Sequence, residues 1–143
     1  MRISKMADYG TVVMVYLAKH TDVLSTARDI AHQTHLNLPT VSKILKRLTS
    51  AGLLISVRGA LGGYQLQRDA TTISVADIVA ALDNVSGLTE CSLQPNVCAL
   101  QSVCDVQGHW RSISHIIAEA LRGVRLDVLA KPVKPMTVGV NRG

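Results

Sequence analysis

The chain has 143 residues, 48% of them hydrophobic with no Phe, and a net charge of +5 at pH 7 with a pI of about 9.4. That length supports one domain with a core of Val, Leu, Ile and Ala, and the positive balance points to an anionic partner. No apolar run approaches the roughly 18 residues of a membrane span, and MRISKMADYG lacks the apolar stretch of a secretion signal, so no membrane partner and a cytoplasmic location are expected.

Residues 3 to about 19 contain no Pro, and Met6, Val13 and Leu17, with Tyr9 and Tyr16, fall at helical spacings. A first helix is predicted there. In LSTARDIAHQTHL, Ser25 or Thr26 serves as N-cap and Asp29 closes a capping box from Thr26. Ala27, Ile30 and Ala31 form the buried side of a short second helix, and His35-Leu36-Asn37 forms the turn. In NLPTVSKILKRLTSAGLL, Asn37 caps and Pro39 sits in the first turn, where its missing N–H costs little. Val41, Ile44, Leu45 and Leu48 make one apolar stripe, and Gly52 ends the helix. The opposite face carries Thr40, Ser42, Lys43, Lys46 and Arg47.

Leu53 to Val57 reads as a strand, RGALGG as a Gly-rich tip, and YQLQR as the returning strand. Helix pair, tight turn, basic second helix and hairpin together predict a winged helix-turn-helix. The fold class is mainly α with a small β-hairpin wing. Thr40, Ser42 and Lys43 face out early in the recognition helix and are assigned to base edges. Lys46 and Arg47 are assigned to phosphates. Arg58 enters a minor groove or holds a phosphate, and Gly62 and Gly63 let the backbone approach closely. The glycine run is not a P-loop, because no Lys-Ser/Thr follows it. A basic helix face is often merely solvated, and helix-turn-helix units also serve protein interaction. The composite of helices, wing and charge favours double-stranded DNA.

The charge is unevenly placed. Residues 1–70 carry nine Lys/Arg and four Asp/Glu, residues 71–108 four acids and no base, and residues 109–143 six bases and two acids. In ISVADIVAALDNV, Ser74 caps and Asp77 follows three residues later, while Ile78, Val79, Ala81 and Leu82 fill a short helix that packs on the head. Residues 87 to about 107 read as loop and broken helical turns. From Trp110, the spacing of Ile113, Ile116, Ile117, Ala120, Leu121 and Val124 predicts a long amphipathic helix. Its stripe is too apolar to leave in water, so a second copy is expected to cover part of it. The organisation is a DNA-binding head over 1–70, a linking helix and cysteine loop over 71–108, a dimerisation helix over 109–130 and a disordered tail over 131–143.

All three cysteines, Cys91, Cys98 and Cys104, lie in CSLQPNVCALQSVC, spaced C-x6-C and C-x5-C. An odd count in a reducing compartment argues against structural disulfides. Such a group can hold an iron–sulfur cluster, bind zinc, switch redox state, or sit inertly as small apolar side chains. The spacing disfavours zinc, and the acidic surroundings do not activate a catalytic thiol. No triad, paired carboxylate or cofactor motif supports an enzyme.

MRISKMADYG, LKRLTSAGLL, SVRGALGGYQL, ISVADIVAALD and the three cysteines before a Trp-led helix resemble the bacterial winged-helix family that includes the iron–sulfur regulator IscR and the nitric-oxide sensor NsrR. The resemblance runs from residue 1 to about 130 and is nearest the regulators of the SUF cluster-assembly operon. It implies a homodimeric transcription regulator, a repressor type, that carries a 2Fe–2S or 4Fe–4S cluster on Cys91, Cys98 and Cys104. In the IscR-like branch a His lies three residues after the last Cys; here that position is Gln107. Asp8 matches the first-helix Asp that completes the site from the other subunit in the nitric-oxide branch, and His109 is the alternative fourth ligand. Without a cluster, the alternatives are a zinc-stabilised or thiol-redox winged-helix regulator.

Overall fold

The computed structural model of the chain describes residues 2–83, 99–100 and 102–132. Helix α1, Lys5–Ala18, is capped by Ser4, whose hydroxyl accepts from the Ala7 N–H, and it buries Ala7, Gly10, Val13, Met14 and Leu17. Helix α2, Ala27–Thr34, starts at Thr26 with the full capping box to Asp29. Ser25 does not cap it. It is buried instead, and its backbone exchanges two hydrogen bonds with Tyr64 in the wing, at 2.8 and 3.0 Å. His35 takes the left-handed conformation at φ 58°, which turns the chain into α3, Leu38–Ser50. Asn37 accepts from the Thr40 N–H at 2.9 Å, and α3 buries Val41, Ile44, Leu45 and Leu48.

Strands β1, Leu54–Val57, and β2, Gly63–Leu66, pair antiparallel with Leu54 opposite Leu66 and Val57 opposite Gly63. The first strand begins one residue later than its sequence predicts. Leu53 closes α3 by donating to the Leu48 carbonyl, and its own carbonyl accepts from Gln67. The return strand starts at Gly63 and stops at Leu66. Alternation puts Leu54 into the core, with Tyr64 and Leu66 packed on it, and leaves Ile55 and Val57 exposed.

A 3-10 turn, Ala70–Thr72, follows. Asp69 caps it, and its bonds from the Thr71 N–H and hydroxyl hold its carboxyl below the usual pKa. Helix α4, Val75–Leu82, carries the predicted Ser74–Asp77 capping box and buries Ile78 and Leu82. It lies against α1 and α3. Leu82 sits on Gly10, where a Cβ would run into the Leu82 Cδ1 atom.

Helix α5, Gln107–Arg122, begins three residues before Trp110 and ends before Val124. The chain then returns to the head. Val75 donates to the Val124 carbonyl at 2.9 Å, Leu126 donates to the Ile73 carbonyl at 2.8 Å, and a short helix α6, Leu126–Leu129, buries Leu126. The segment 109–130 is therefore most of α5 plus a return to the core. Neither the 3-10 turn nor α6 has a counterpart among the elements expected from the sequence. Residues from α1, α2, α3, β1, α4 and α6 share one core. Among the described residues no helix is long and apolar enough to cross a membrane. The tail from 133, the first part of the cysteine loop (84–98) and residue 101 lie outside the described residues.

Candidate nucleic-acid interface and cysteine site

The second helix of the helix-turn-helix presents the residues its sequence marked. Lys43 and Lys46 are exposed, and Thr40 and Ser42 are half-buried beside the apolar stripe. The Asn37 cap uses the Thr40 backbone N–H and leaves its hydroxyl for other partners.

Arg47 has a partner within the fold. Its Nη1 donates to the Leu82 carbonyl at 2.9 Å, at the C-terminus of α4. That end of a helix carries unpaired carbonyls and partial negative charge, which a guanidinium satisfies. The side chain of Arg47, assigned to phosphate from the sequence, is exposed and also ties the recognition helix to the last residue of α4. Leu82's neighbour Asp83 is tied as well, because its carboxylate accepts from the Ser4 hydroxyl and N–H at the start of α1. Lys46, Arg47, Ser50, Ala51, Ala80 and Ala81 line a shallow groove of about 430 Å³ between α3 and α4.

In the wing, Arg58 and Leu61 stand exposed at the tip. Gly63, at φ +152°, lies against the backbone of Ser25, and a Cβ there would come within 2.7–3.0 Å of it. Gly62 would place a Cβ on the Val57 carbonyl. Both glycines are thus required by the wing's own packing, a reason the sequence reading did not find. Arg58 also borders a groove of about 420 Å³ between wing and α2, with Thr26, Ser56 and Tyr64.

Of the cysteines, Cys91 and Cys98 lie outside the described residues. Cys104 is a free, half-buried thiol three residues before α5. Asp8 is exposed in the first turn of α1, and His109 is exposed in the first turn of α5. Among the described residues, no three His, Cys, Asp or Glu side chains gather as a metal site would require. A site here would draw on Cys91 and Cys98. The Gln107 Nε2 amide, at the position where the resemblance places a His ligand, is buried without a hydrogen-bond partner among the described residues. Buried donors without acceptors are rare, and a thiolate or sulfide sulfur is an acceptor that such an amide fits. Sequence reasoning saw only a missing ligand at this position.

Helix α5 lies on α4 but buries none of its residues fully. Ile117, Ala118 and Leu121 are half-buried, while Trp110, Ile113 and Ile116 stay exposed, Ile116 by 65%. Val103 and Val106 extend the uncovered surface toward Cys104.

Residues 3–132 match the Rrf2 family, described as an iron-dependent transcriptional regulator. The chain is 30% identical over 130 residues to the HTH-type transcriptional regulator IscR of Vibrio vulnificus, covering 90% of this chain and 77% of that protein. Among solved structures it is similar to CymR, the global cysteine regulator of B. subtilis, with a TM-score of 0.72 and 27% identity over 91% of this chain and 96% of that one. T. potens IscR is similar with a TM-score of 0.67 and 30% identity, over 94% and 93% of the two chains.

Proposed function

The chain belongs to the Rrf2 family of transcriptional regulators, and from that premise we propose that it is a homodimer whose hold on operator DNA is set by an iron–sulfur cluster on Cys91, Cys98 and Cys104. It is a DNA-binding regulator of the IscR type and not an enzyme. Its proposed targets are iron–sulfur cluster assembly genes.

One observation carries this reading. The recognition helix packs on α4 and is tied to its last residue, nine before Cys91, by the hydrogen bond from Arg47 to the Leu82 carbonyl. A coupling of about 1–3 kcal/mol, which is typical, changes DNA affinity about 5- to 150-fold. The buried amide of Gln107 supports a sulfur-rich acceptor beside Cys104. Cys91, Cys98 and Cys104 would hold the cluster, with Asp8 of the other subunit as fourth ligand and His109 as its alternative. When bound, the cluster supplies a centre sensitive to iron and oxidants. The protein's part is to orient the thiolates, to donate from Gln107, and to bury the centre between α5 and the second copy.

On the DNA side, Thr40, Ser42 and Lys43 read base edges, Lys46 holds phosphate, and Arg58 reaches the minor groove or its rim. The exposed face of α5, with Trp110, Ile113 and Ile116, is the proposed seam between copies. Two heads about one helical turn apart suit a two-fold operator.

The test is a visible spectrum with iron and sulfide assays on protein purified without oxygen. A brown protein absorbing between about 320 and 460 nm is expected. A colourless protein that refuses reconstitution with iron and sulfide overturns the cluster reading. The likeness to CymR favours the second reading, a thiol-based regulator. Reversible disulfide formation in the colourless protein would establish that instead, and one zinc per chain would establish a structural metal.

A further inference from the structure

Leu61 is 92% exposed, more than any other large apolar side chain among the described residues. No described residue of the free protein covers it. The turn that presents it is built by its neighbours: the Gly62 N–H donates to the Gly59 carbonyl at 3.0 Å, and Gly59 sits at φ +119°, a conformation that side chains resist. Gly62 is further pressed against the Val57 carbonyl. This packing fixes the tip and holds the side chain in water. An exposed leucine adds no folding stability, because burial is what makes an apolar side chain stabilising.

The surroundings of Leu61 say what covers it. Arg58 stands three residues before it, and Val57, 47% exposed, extends the apolar edge along β1. The wing follows α3 directly through Gly52 and Leu53, so tip and recognition helix belong to one head. Residues 1–70 of that head carry nine bases against four acids. A cationic hairpin with an apolar tip matches the minor groove of duplex DNA. Phosphates line its rims, and its floor of sugars and base edges accepts apolar wedges that partly unstack a base step and bend the duplex.

We propose that Leu61 is an apolar wedge that the wing sets into the minor groove beside the site of α3, and that through it the chain selects a deformable base step. The inference rests on the DNA-binding reading and is independent of what the cysteines hold. Pyrimidine–purine steps unstack most readily, so specificity arises there without a hydrogen bond to a base.

The experiment compares wild type, Leu61→Ala and Leu61→Met as full chains, on a duplex enriched by the wild type from a randomised library. Affinity is read by fluorescence anisotropy over a series of salt concentrations, and bending by energy transfer between dyes at the duplex ends. Leu61→Ala is expected to weaken binding about tenfold, from lost apolar burial, with an unchanged salt slope and a smaller bend. Leu61→Met should stay near wild type, and neither variant should alter the melting temperature. A library enriched by Leu61→Ala should lose the preference for a pyrimidine–purine step under the wing. Wild-type affinity, bend and step preference in Leu61→Ala would overturn the wedge while leaving DNA binding intact. If the wild type enriches no duplex, the DNA-binding reading fails, and the wedge fails with it.

Discussion

Lys46 and Arg47 are adjacent on α3 and carry the same charge, yet replacing each by alanine is expected to do different things. Arg47 donates to the Leu82 carbonyl at 2.9 Å, in a part-buried setting. A hydrogen bond from a charged donor contributes about 1.5–3 kcal/mol, and the exposure of the Arg47 side chain places it near the lower end, about 1–2 kcal/mol. For a domain of this size each kcal/mol moves the melting temperature by about 3–4 °C, so Arg47→Ala should lower it by about 3–8 °C. Lys46 is exposed, and Lys46→Ala should leave melting unchanged. It should instead weaken binding equally on all sequences. The slope of log K against log salt should fall by about 0.9 for each phosphate that the protein no longer neutralises, or about two in a dimer. Thermal unfolding by circular dichroism and anisotropy titrations at several salt concentrations separate the two effects. An Arg47→Ala protein that melts like wild type and shows the same reduced salt slope as Lys46→Ala would refute the reasoning. Arg47 would then be a phosphate ligand and not a tie to α4.

Gly63→Ala should destabilise the head by about 2–4 kcal/mol, because its positive φ and the approach of Ser25 leave no room for a Cβ; denaturant unfolding measures it, and a wild-type midpoint would contradict the wing geometry. Leu126→Ala should cost about 2–4 kcal/mol in the same assay, since the side chain is fully buried in the core. A loss near zero would mean that the chain after α5 does not return to the head. Ile116→Glu lies on the uncovered side of α5 and should leave the fold intact while converting dimer to monomer in sedimentation velocity. A dimer that persists at micromolar concentration would place the seam elsewhere.

Each α-helix of the head could be read from local spacing, with the caps of α2 and α3, whereas the Ser4 cap of α1 was not. The stripe of Val41, Ile44, Leu45 and Leu48, the Thr26–Asp29 and Ser74–Asp77 boxes and the Asn37 cap involve residues three or four apart, the distance at which helical neighbours meet. The hairpin was legible for the same reason, from alternation and a glycine tip. Leu61 could have been singled out as the one large apolar residue in RGALGG, but its near-complete exposure had to be seen. The start of α5 at Gln107 was missed because its first turn, QGHW, carries no apolar repeat and no side-chain cap.

By itself, then, the sequence determined the helices and hairpin of the head, helix α4, most of α5, the basic recognition face and the clustering of the thiols, but neither the 3-10 turn nor α6. Only the tertiary structure decided what joins them. Arg47 with Leu82, Ser4 with Asp83, Ser25 with Tyr64 and Ile73 with Leu126 are partners 35 to 79 residues apart. Such pairs leave no period in the chain, because their geometry depends on how separate elements pack around a shared core. The same packing gave Arg47 a tie to α4 in addition to its expected phosphate contact, and gave Gly63 its reason in the backbone of Ser25.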